Sequence, residues 1–490
     1  MALGNWWTNA IFYKVKVADF FSSDSLEKGD LEGLLQKLDY FSDIGVNALI
    51  LDSILEKSQS GVISNFYNID RDLGNIKVLK RIVGECKRRK IRLLLTINFA
   101  YTSKEHPYFK QSVITEKPQL QNKYVWRYGK PAQENEKETL FSKIFAKKPK
   151  EVSKIVPNNW KNLKGESAWV YHENKQMFYL ARHDKNKPDL NWHSHHFRSD
   201  ITRIVRHWLS QGIDGLYFEN AHSFMYDLSL TDDPQGSTKN SLGKEQNIQA
   251  IMFLRDLVGD FPNSIIVGEI KKTEGETTNV ANLTSYTKSG FDLVESSLFD
   301  QESQTEMFNK IVLQLEKSGG RASILNTSSL DEKTATDRRE KLFLIFQMTL
   351  FNSFLLSQAD EHAKKNRGKF LWYDGFEAND KKTSLTSSQA NPKSKFNLFL
   401  ELVRLRGDNP ALGDGWIKAK ALDKDLVAFS KQNFVQNILA VFNFSSKRVK
   451  ITKNLPPKKD QIDLNSFDTG SYVEDETVVL PPESLIILKS

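Results

Sequence analysis

Two glutamates stand at the ends of short apolar runs: Glu219 in Gly215-Leu-Tyr-Phe-Glu-Asn220 and Glu269 in Ile265-Ile-Val-Gly-Glu-Ile270. A carboxylate in such a place can move a proton, or it can simply accept a hydrogen bond at a strand end. Four histidines, His183, His193, His195 and His196, crowd a second region. The spacing His193-Ser-His-His196 suits a metal on a loop, but no cysteine or carboxylate pattern accompanies it. No metal and no cofactor is therefore expected. The single cysteine, Cys86, excludes an internal disulfide. It lies in an amphipathic helical pattern, which predicts a packed thiol rather than a reactive one. Tyr67, Tyr101, Trp126, Trp160 and Trp169 could line a mouth on which a ligand stacks, or fill a core.

The elements that would position these residues follow from periodicity. Short β-branched runs at 11–17, 48–54, 92–98, 215–220, 265–270, 322–326 and 353–357 read as buried strands. A further one is placed near 291–296. Amphipathic stretches at 31–44, 77–89, 199–211, 248–258 and 337–349 alternate with them. Eight such repeats predict an α/β fold of the (β/α)8 TIM-barrel type. The interval between the third and fourth strands is too long for one crossover helix, so it should be a folded insertion. After Pro410 the pattern turns to short alternating runs at 426–430, 438–443, 449–453 and 484–488, which read as an antiparallel β-sandwich. The expected division is barrel 1–100, insertion 101–187, barrel 188–411 and C-terminal β domain 412–490.

At 490 residues the chain can bury a large core. Its net charge of +8 gathers in two lysine-rich stretches, 123–164 and 447–459, where interspersed acids and the lack of any nucleic-acid motif point to solvated surface. No nucleic-acid partner is expected. No apolar run approaches the roughly 20 residues of a membrane helix, and nothing at the N-terminus resembles a signal peptide. Asn-x-Ser/Thr acceptors for glycosylation occur at Asn282, Asn326 and Asn443.

Several stretches resemble α-glucosidases of the maltase and oligo-1,6-glucosidase kind, in glycoside hydrolase family 13. They are Trp6-Trp7-Thr-Asn-Ala-Ile-Phe-Tyr13, Gly29-Asp-Leu-Glu-Gly33, Thr102-Ser-Lys-Glu-His-Pro-Tyr-Phe109, Pro157-Asn-Asn-Trp160, Lys187-Pro-Asp-Leu-Asn-Trp192 and Asn409-Pro-Ala-Leu412. The likeness runs along nearly the whole chain and implies that the insertion is a domain B. It also implies a retaining mechanism, in which a nucleophile and an acid/base carboxylate stand about 5–5.5 Å apart. By that resemblance Glu219 takes the nucleophile position and Glu269 the acid/base position. Ser329 falls where a third carboxylate belongs and Ser328 where a histidine belongs. Tyr217 replaces an arginine, Thr96, Ala100 and Tyr101 replace sugar-binding residues, and the family's Tyr-Asp pair becomes Tyr67-Asn68. The calcium-type loop keeps only Asp24 and Asp30, too few ligands for that ion.

Taken alone, these replacements imply a catalytically inactive, glucosidase-like protein. Heavy-chain subunits of amino-acid transporters, with glucosidase-like ectodomains, offer a precedent. An extracellular or cell-surface place, and a protein partner such as a membrane transporter or a second copy, are then expected. A secreted structural, storage or receptor protein, a sugar-binding pseudoenzyme, and a residual α-glucosidase using Glu219 and Glu269 are the other readings. The tyrosines at 101 and 217 are expected to fill the barrel mouth and to stack with Tyr67.

Overall fold

The computed structural model describes residues 5–24, 28–130, 154–242, 244–271, 280–299, 305–320, 323–326, 336–361, 370, 372–373, 384–452, 460–474 and 477–489. Three short strands open the chain's main sheet: β1 (Ile11–Val15), β2 (Ala48–Leu51) and β3 (Arg92–Asn98). Three more, β4 (Trp126–Arg127), β5 (Trp169–His172) and β6 (Met177–Leu180), form a separate antiparallel sheet. The main sheet resumes with β7 (Gly215–Glu219), β8 (Ile265–Glu269), β9 (Leu293–Ser296), β10 (Ile324–Asn326) and β11 (Phe354–Ser357). Its order is β10-β9-β8-β7-β3-β2-β1-β11 and all its pairings are parallel. The strands at its two ends, β10 and β11, come into contact, so the sheet is a nearly closed (β/α)8 barrel.

The strands read as continuous apolar runs because both of their faces are covered. Every second side chain points into the barrel. Phe12, Ile50, Leu94, Tyr217, Val267, Leu293, Leu325 and Leu355 make the inner core. The intervening residues pack outward beneath the helices. Two residues further along the same inward rails stand Lys14, Asp52, Thr96, Glu219, Glu269 and Glu295. Toward the C-terminal ends of its strands, the interior therefore changes from hydrocarbon to ionisable groups.

Local signals set most boundaries. The side chain of Asn75 caps the helix Ile76–Arg88 by accepting from Lys77 N at 2.9 Å. Asp30 caps Leu31–Gln36 by accepting from Gly33 N at 2.6 Å, so it serves a helix start. The expected helix over 31–44 is split: Leu31–Gln36 ends at Lys37, and Leu38–Asp43 begins again at once. Lys37 itself has non-helical φ and ψ of −107° and 12°.

Trp160, Trp169, Phe178 and Leu180 form a small core of their own in the insertion, closed by Tyr226 from the segment after β7. At the C-terminus, β12 (Trp416–Ala419), β13 (Val427–Gln432), β14 (Asn437–Asn443), β15 (Val449–Ile451), β16 (Asp460–Ile462), β17 (Tyr472–Glu474), β18 (Thr477–Leu480) and β19 (Ser484–Lys489) make two antiparallel sheets. Leu439, Val441, Ile486 and Leu488 of one face Ile451, Val478 and Leu480 of the other. Phe429 and Phe442 turn the other way and pack on Phe346 in a helix of the barrel. Among the described residues no helix is long and apolar enough to cross a membrane.

Arg406 fastens the helix Lys395–Asp408 to the end of the helix Asp337–Leu350. Buried, it donates through Nη1 to the carbonyls of Met348 (2.6 Å) and Phe351 (2.9 Å) and through Nη2 to Asn9 Oδ1 (3.0 Å) and to the carbonyl of Asn352. Burial pulls its guanidinium down to about 10, so it remains charged at neutral pH. Arg406→Met should cost at least about 3 kcal/mol, because several buried acceptors lose their donor at once. A denaturant midpoint equal to that of the wild type would contradict this.

Candidate active site

The inward rails converge on a ring of charge. Asn98, Glu219, Glu269 and Glu295 end β3, β7, β8 and the inward rail of β9. Asn98 is paired in register with Glu219, and Glu269 with Glu295. Phe218 pairs with Gly268, so Glu219 and Glu269 stand side by side on neighbouring strands. Asp52 follows β2, and Lys14 comes from β1.

Lys14 is the fixed cation of the ring. Its Nζ donates to Tyr217 Oη at 2.9 Å, lies 4.1 Å from the centre of the Tyr217 ring and is 3.5 Å from Glu295 Oε2. Tyr217 in turn donates to Glu295 Oε2 at 2.5 Å. Glu269 Oε2 accepts from the backbone N–H of Asn220 at 2.9 Å and pairs with Lys271 Nζ at 3.2 Å. Asn220 occupies the left-handed region (φ 53°, ψ 33°), where asparagine is tolerated, and this turn presents its N–H to the carboxylate. Among the described residues the carboxylate of Glu219 makes neither a hydrogen bond nor an ion pair, although its backbone belongs to the β3–β7 ladder.

These surroundings divide the carboxyls. Burial, then Asp52 and Glu269, push Glu219 up to about 7, and Lys14 and Lys271 resist that rise. Burial also raises Glu295 above the usual carboxylate range against the pull of Lys14 and Tyr217. For Lys14 burial favours the neutral amine, but Glu295, Glu269, Glu219 and Asp52 outweigh it and keep the ammonium. Burial, then Glu295 and Glu269, lift the Tyr217 phenol far above its ordinary value.

A second set of buried groups supports the ring from the exit of the insertion. Asp189 accepts from Arg182 Nε at 2.5 Å, and Arg182 donates onward to the carbonyls of Ser223 (2.7 Å), Ser241 (2.6 Å) and Met225 (3.2 Å). Burial alone would raise the Asp189 carboxyl, but Arg182 and His183 hold it below the usual range. The insertion is thereby tied to the segment that follows β7. Tyr101 pairs with Asp189 in a short bridge, stacks on His183 at 4.5 Å, and is pushed to about 12 by burial and then Glu219. His222 is forced down to about 3 by burial, then by His183 and Lys271, so it is a neutral imidazole accepting from Lys271 N at 3.3 Å.

The structure sorts the residues chosen from the sequence. Glu219, Glu269, Tyr217 and Tyr101 share the ring's electrostatic neighbourhood. Thr96 lies buried one layer down, paired in register with Tyr217, and Ala100 is buried beside them. The expected stacking with Tyr67 does not occur. Tyr67 is exposed and lies edge-on to His207, 5.3 Å away, because the loop after β2 turns outward. Asn68 is likewise exposed and donates to Glu56 at 3.0 Å. Ser328 and Ser329 lie outside the described residues.

Trp126, Trp160 and Trp169 are buried in the insertion, so they fill a core and line no mouth. His193 bonds the Tyr226 carbonyl at 2.9 Å, while His195 and His196 stack on each other at a helix start. Burial raises the Cys86 thiol to about 12, which removes its reactivity. Two glycosylation acceptors are corrected. Asn326 is buried, and Asn443 is buried with Nδ2 donating to the carbonyls of Lys447 (2.7 Å), Leu480 (3.1 Å) and Pro481 (2.8 Å), which leaves no room for a glycan. Asn282 is exposed.

Sequence reasoning missed Lys14, Asp52, Lys271 and Glu295. The signal that finds three of them is parity. Lys14 stands two residues after Phe12, Asp52 two after Ile50, and Glu295 two after Leu293, each on the rail of an inward-facing residue.

A parallel eight-stranded barrel with ionisable groups at the C-terminal ends of its strands, a β insertion after β3 and a C-terminal β-sandwich define the architecture. The chain belongs to the alpha-amylase family: the model of its catalytic domain matches residues 15–322. Trehalose-6-phosphate hydrolase of Escherichia coli is 28% identical over 56% of this chain and 46% of its own length. Maltase 1 of Drosophila virilis is 30% identical over 48% of this chain and 35% of its own length. These matches thus span less than half of either relative. A Rhizobium meliloti protein named probable alpha-glucosidase matches at 21% identity over 97% of this chain and 96% of its own. In fold, the chain superposes on an alpha-glucosyl transfer enzyme with a TM-score of 0.85 at 19% identity, covering 99% of both chains. It superposes on trehalose-6-phosphate hydrolase of Bacillus licheniformis at 0.81 and 18%, again covering 99% of both.

The inactive, transporter-subunit reading is overturned by these relatives, which are named as hydrolases, maltases and a glucosyl-transfer enzyme. The physical premise of that reading also fails. It counted charges only at the motif positions, whereas the cation missing at Tyr217 is matched by Lys14 lying over its ring, and Glu295 and Asp52 add carboxylates from other strands.

Two outcomes test this electrostatic map. Because the folded-state pKa of Glu219 is raised from 4.5 to about 7, its contribution to stability is fully present below pH 4.5 and is lost as pH rises through 7. The loss is about 3 kcal/mol. Glu219→Gln should therefore gain stability over the wild type between pH 4.5 and 7, by a few kcal/mol at pH 8 and by nothing pH-dependent near pH 4. Denaturant titrations at several pH values check this, and parallel curves for the two proteins would contradict it. Arg182→Met should destabilise by about 3–5 kcal/mol, since it strands the buried Asp189 charge. The double variant with Asp189→Asn should recover part of that loss.

Proposed function

We propose that the protein is an enzyme that acts on α-linked glucosides, with Glu219 and Glu269 as its carboxylate pair. The observation that carries this reading is their placement side by side at the C-terminal ends of adjacent parallel strands. Neighbouring strands lie about 4.8 Å apart, which suits the spacing of about 5–5.5 Å in retaining glycosidases rather than the wider gap of inverting ones. Family membership and the names of the relatives support glucosides as the substrate class.

In this reading Glu219 attacks the anomeric carbon while Glu269 gives a proton to the departing glycosidic oxygen. The C1–O bond breaks with its electron pair on that oxygen, and a glucosyl ester forms on Glu219. Water, deprotonated by Glu269, or a second sugar then attacks C1 and releases Glu219. Lys271 has a side chain more than half exposed, so it can swing away from Glu269 when a sugar enters. Tyr217, two residues before Glu219 on the same strand, lies beneath the reacting pair, and its hydrogen bonds with Lys14 and Glu295 fix it there.

The purified protein should release glucose, or transfer it, from at least one of maltose, isomaltose, trehalose 6-phosphate and an aryl α-glucoside. Glu219→Gln and Glu269→Gln should each lower kcat/KM by a factor of at least about 100. Because attack requires Glu219 ionised, kcat/KM should rise with pH through about 7. Turnover equal to wild type in both glutamine variants would sink the proposal.

A further inference from the structure

Four carboxyl groups face two ammonium groups in this ring, so full ionisation would leave it with excess negative charge in a poorly solvated place. The cations differ in kind. Lys271 is exposed and holds Glu269. Lys14 is largely buried and is fixed by a phenol oxygen, the face of the same ring and a carboxylate.

The groups facing Glu219 are Lys14 from β1, Asp52 after β2, Tyr101 after β3, Tyr217 on its own strand, Glu269 on β8 and Lys271 two residues beyond it, while Glu295 on β9 is paired in register with Glu269. The described residues of β10 and β11 carry no charged side chain. Of the two cations, Lys14 is the largely buried one, and the Lys271 side chain is more than half exposed.

We propose that Lys14 is a positioning residue that favours the ionised form of Glu219 in the free enzyme: its ammonium reaches across the barrel from β1 to Tyr217, two residues before Glu219 on the same strand, and is held there by Tyr217 and Glu295 as one hydrogen-bonded unit. The inference builds on the proposed function, since it names what readies Glu219 for attack. Tyr217 fixes the ammonium from its ring and its oxygen, and Glu295 holds the phenol in turn. Removing the positive charge should therefore favour the protonated form of Glu219.

The test uses the full chain in wild-type, Lys14→Met, Lys14→Arg and Tyr217→Phe forms. Two readouts are followed across pH: kcat/KM on an aryl α-glucoside, and the carboxylate infrared band that a Glu219→Gln change removes in each background. In Lys14→Met both midpoints should move up by a pH unit or more. Lys14→Arg should restore them, and Tyr217→Phe should move them by less in the same direction. A wild-type midpoint retained in Lys14→Met would overturn the inference. If Lys14→Met does not fold, an unmoved midpoint in Tyr217→Phe would do the same. An infrared shift without turnover in any form, the wild type included, would leave Lys14 in its role and remove the proposed function instead.

Discussion

The constraint on which the rest depends is the gathering of four carboxyl groups inside a barrel, where water screens them poorly. A parallel barrel sends every second side chain inward, so two further residues along each rail carry an apolar core to a charged rim. At that rim Asp52, Glu219, Glu269 and Glu295 repel one another. Lys14 and Lys271 offset part of that repulsion. Burial, with the repulsion that remains, leaves a proton on Glu219 up to about pH 7. Stability and reactivity are coupled at this one residue: the ionised form that could attack a sugar is the form the fold tolerates least.

The outer architecture holds that arrangement still. Arg182 and Asp189 tie the exit of the insertion to the segment after β7, just beyond Glu219. Asn220 adopts a left-handed turn whose N–H fixes Glu269. Arg406 fastens the helix Lys395–Asp408 to the end of the helix before β11. Arg182 and Arg406 each donate to several acceptors, and such hydrogen-bond networks rigidify a core.

The fold was legible in the sequence for a simple reason. Strands buried on both faces must read as apolar runs, and those near Ala48, Arg92, Gly215 and Ile265 do. Even the short run ending at Ser296, bounded by a Gly-Phe turn, lay close to β9. Local details were less legible. Lys37 breaks a pattern that reads as one helix, because its backbone leaves the helical region with no proline or glycine to announce it. For the candidate site, motif positions named Glu219, Glu269, Tyr101 and Tyr217 but were blind to charge arriving from other strands. Lys14 lies inside an ordinary strand run, and only the closed barrel brings it over the Tyr217 ring. Counting losses at motif positions therefore led to an inactive protein, whereas the three-dimensional inventory includes a buried lysine and two further carboxyls.

The most direct measurement is covalent capture. A 5-fluoro-α-glucosyl fluoride slows the second step of a retaining mechanism more than the first, so a glucosyl ester accumulates on the attacking carboxylate. Mass spectrometry of the digested protein should place that ester on Glu219, and it should be absent from the Glu219→Gln variant. An adduct on another residue, or none under conditions where the protein turns over an α-glucoside, would contradict the account.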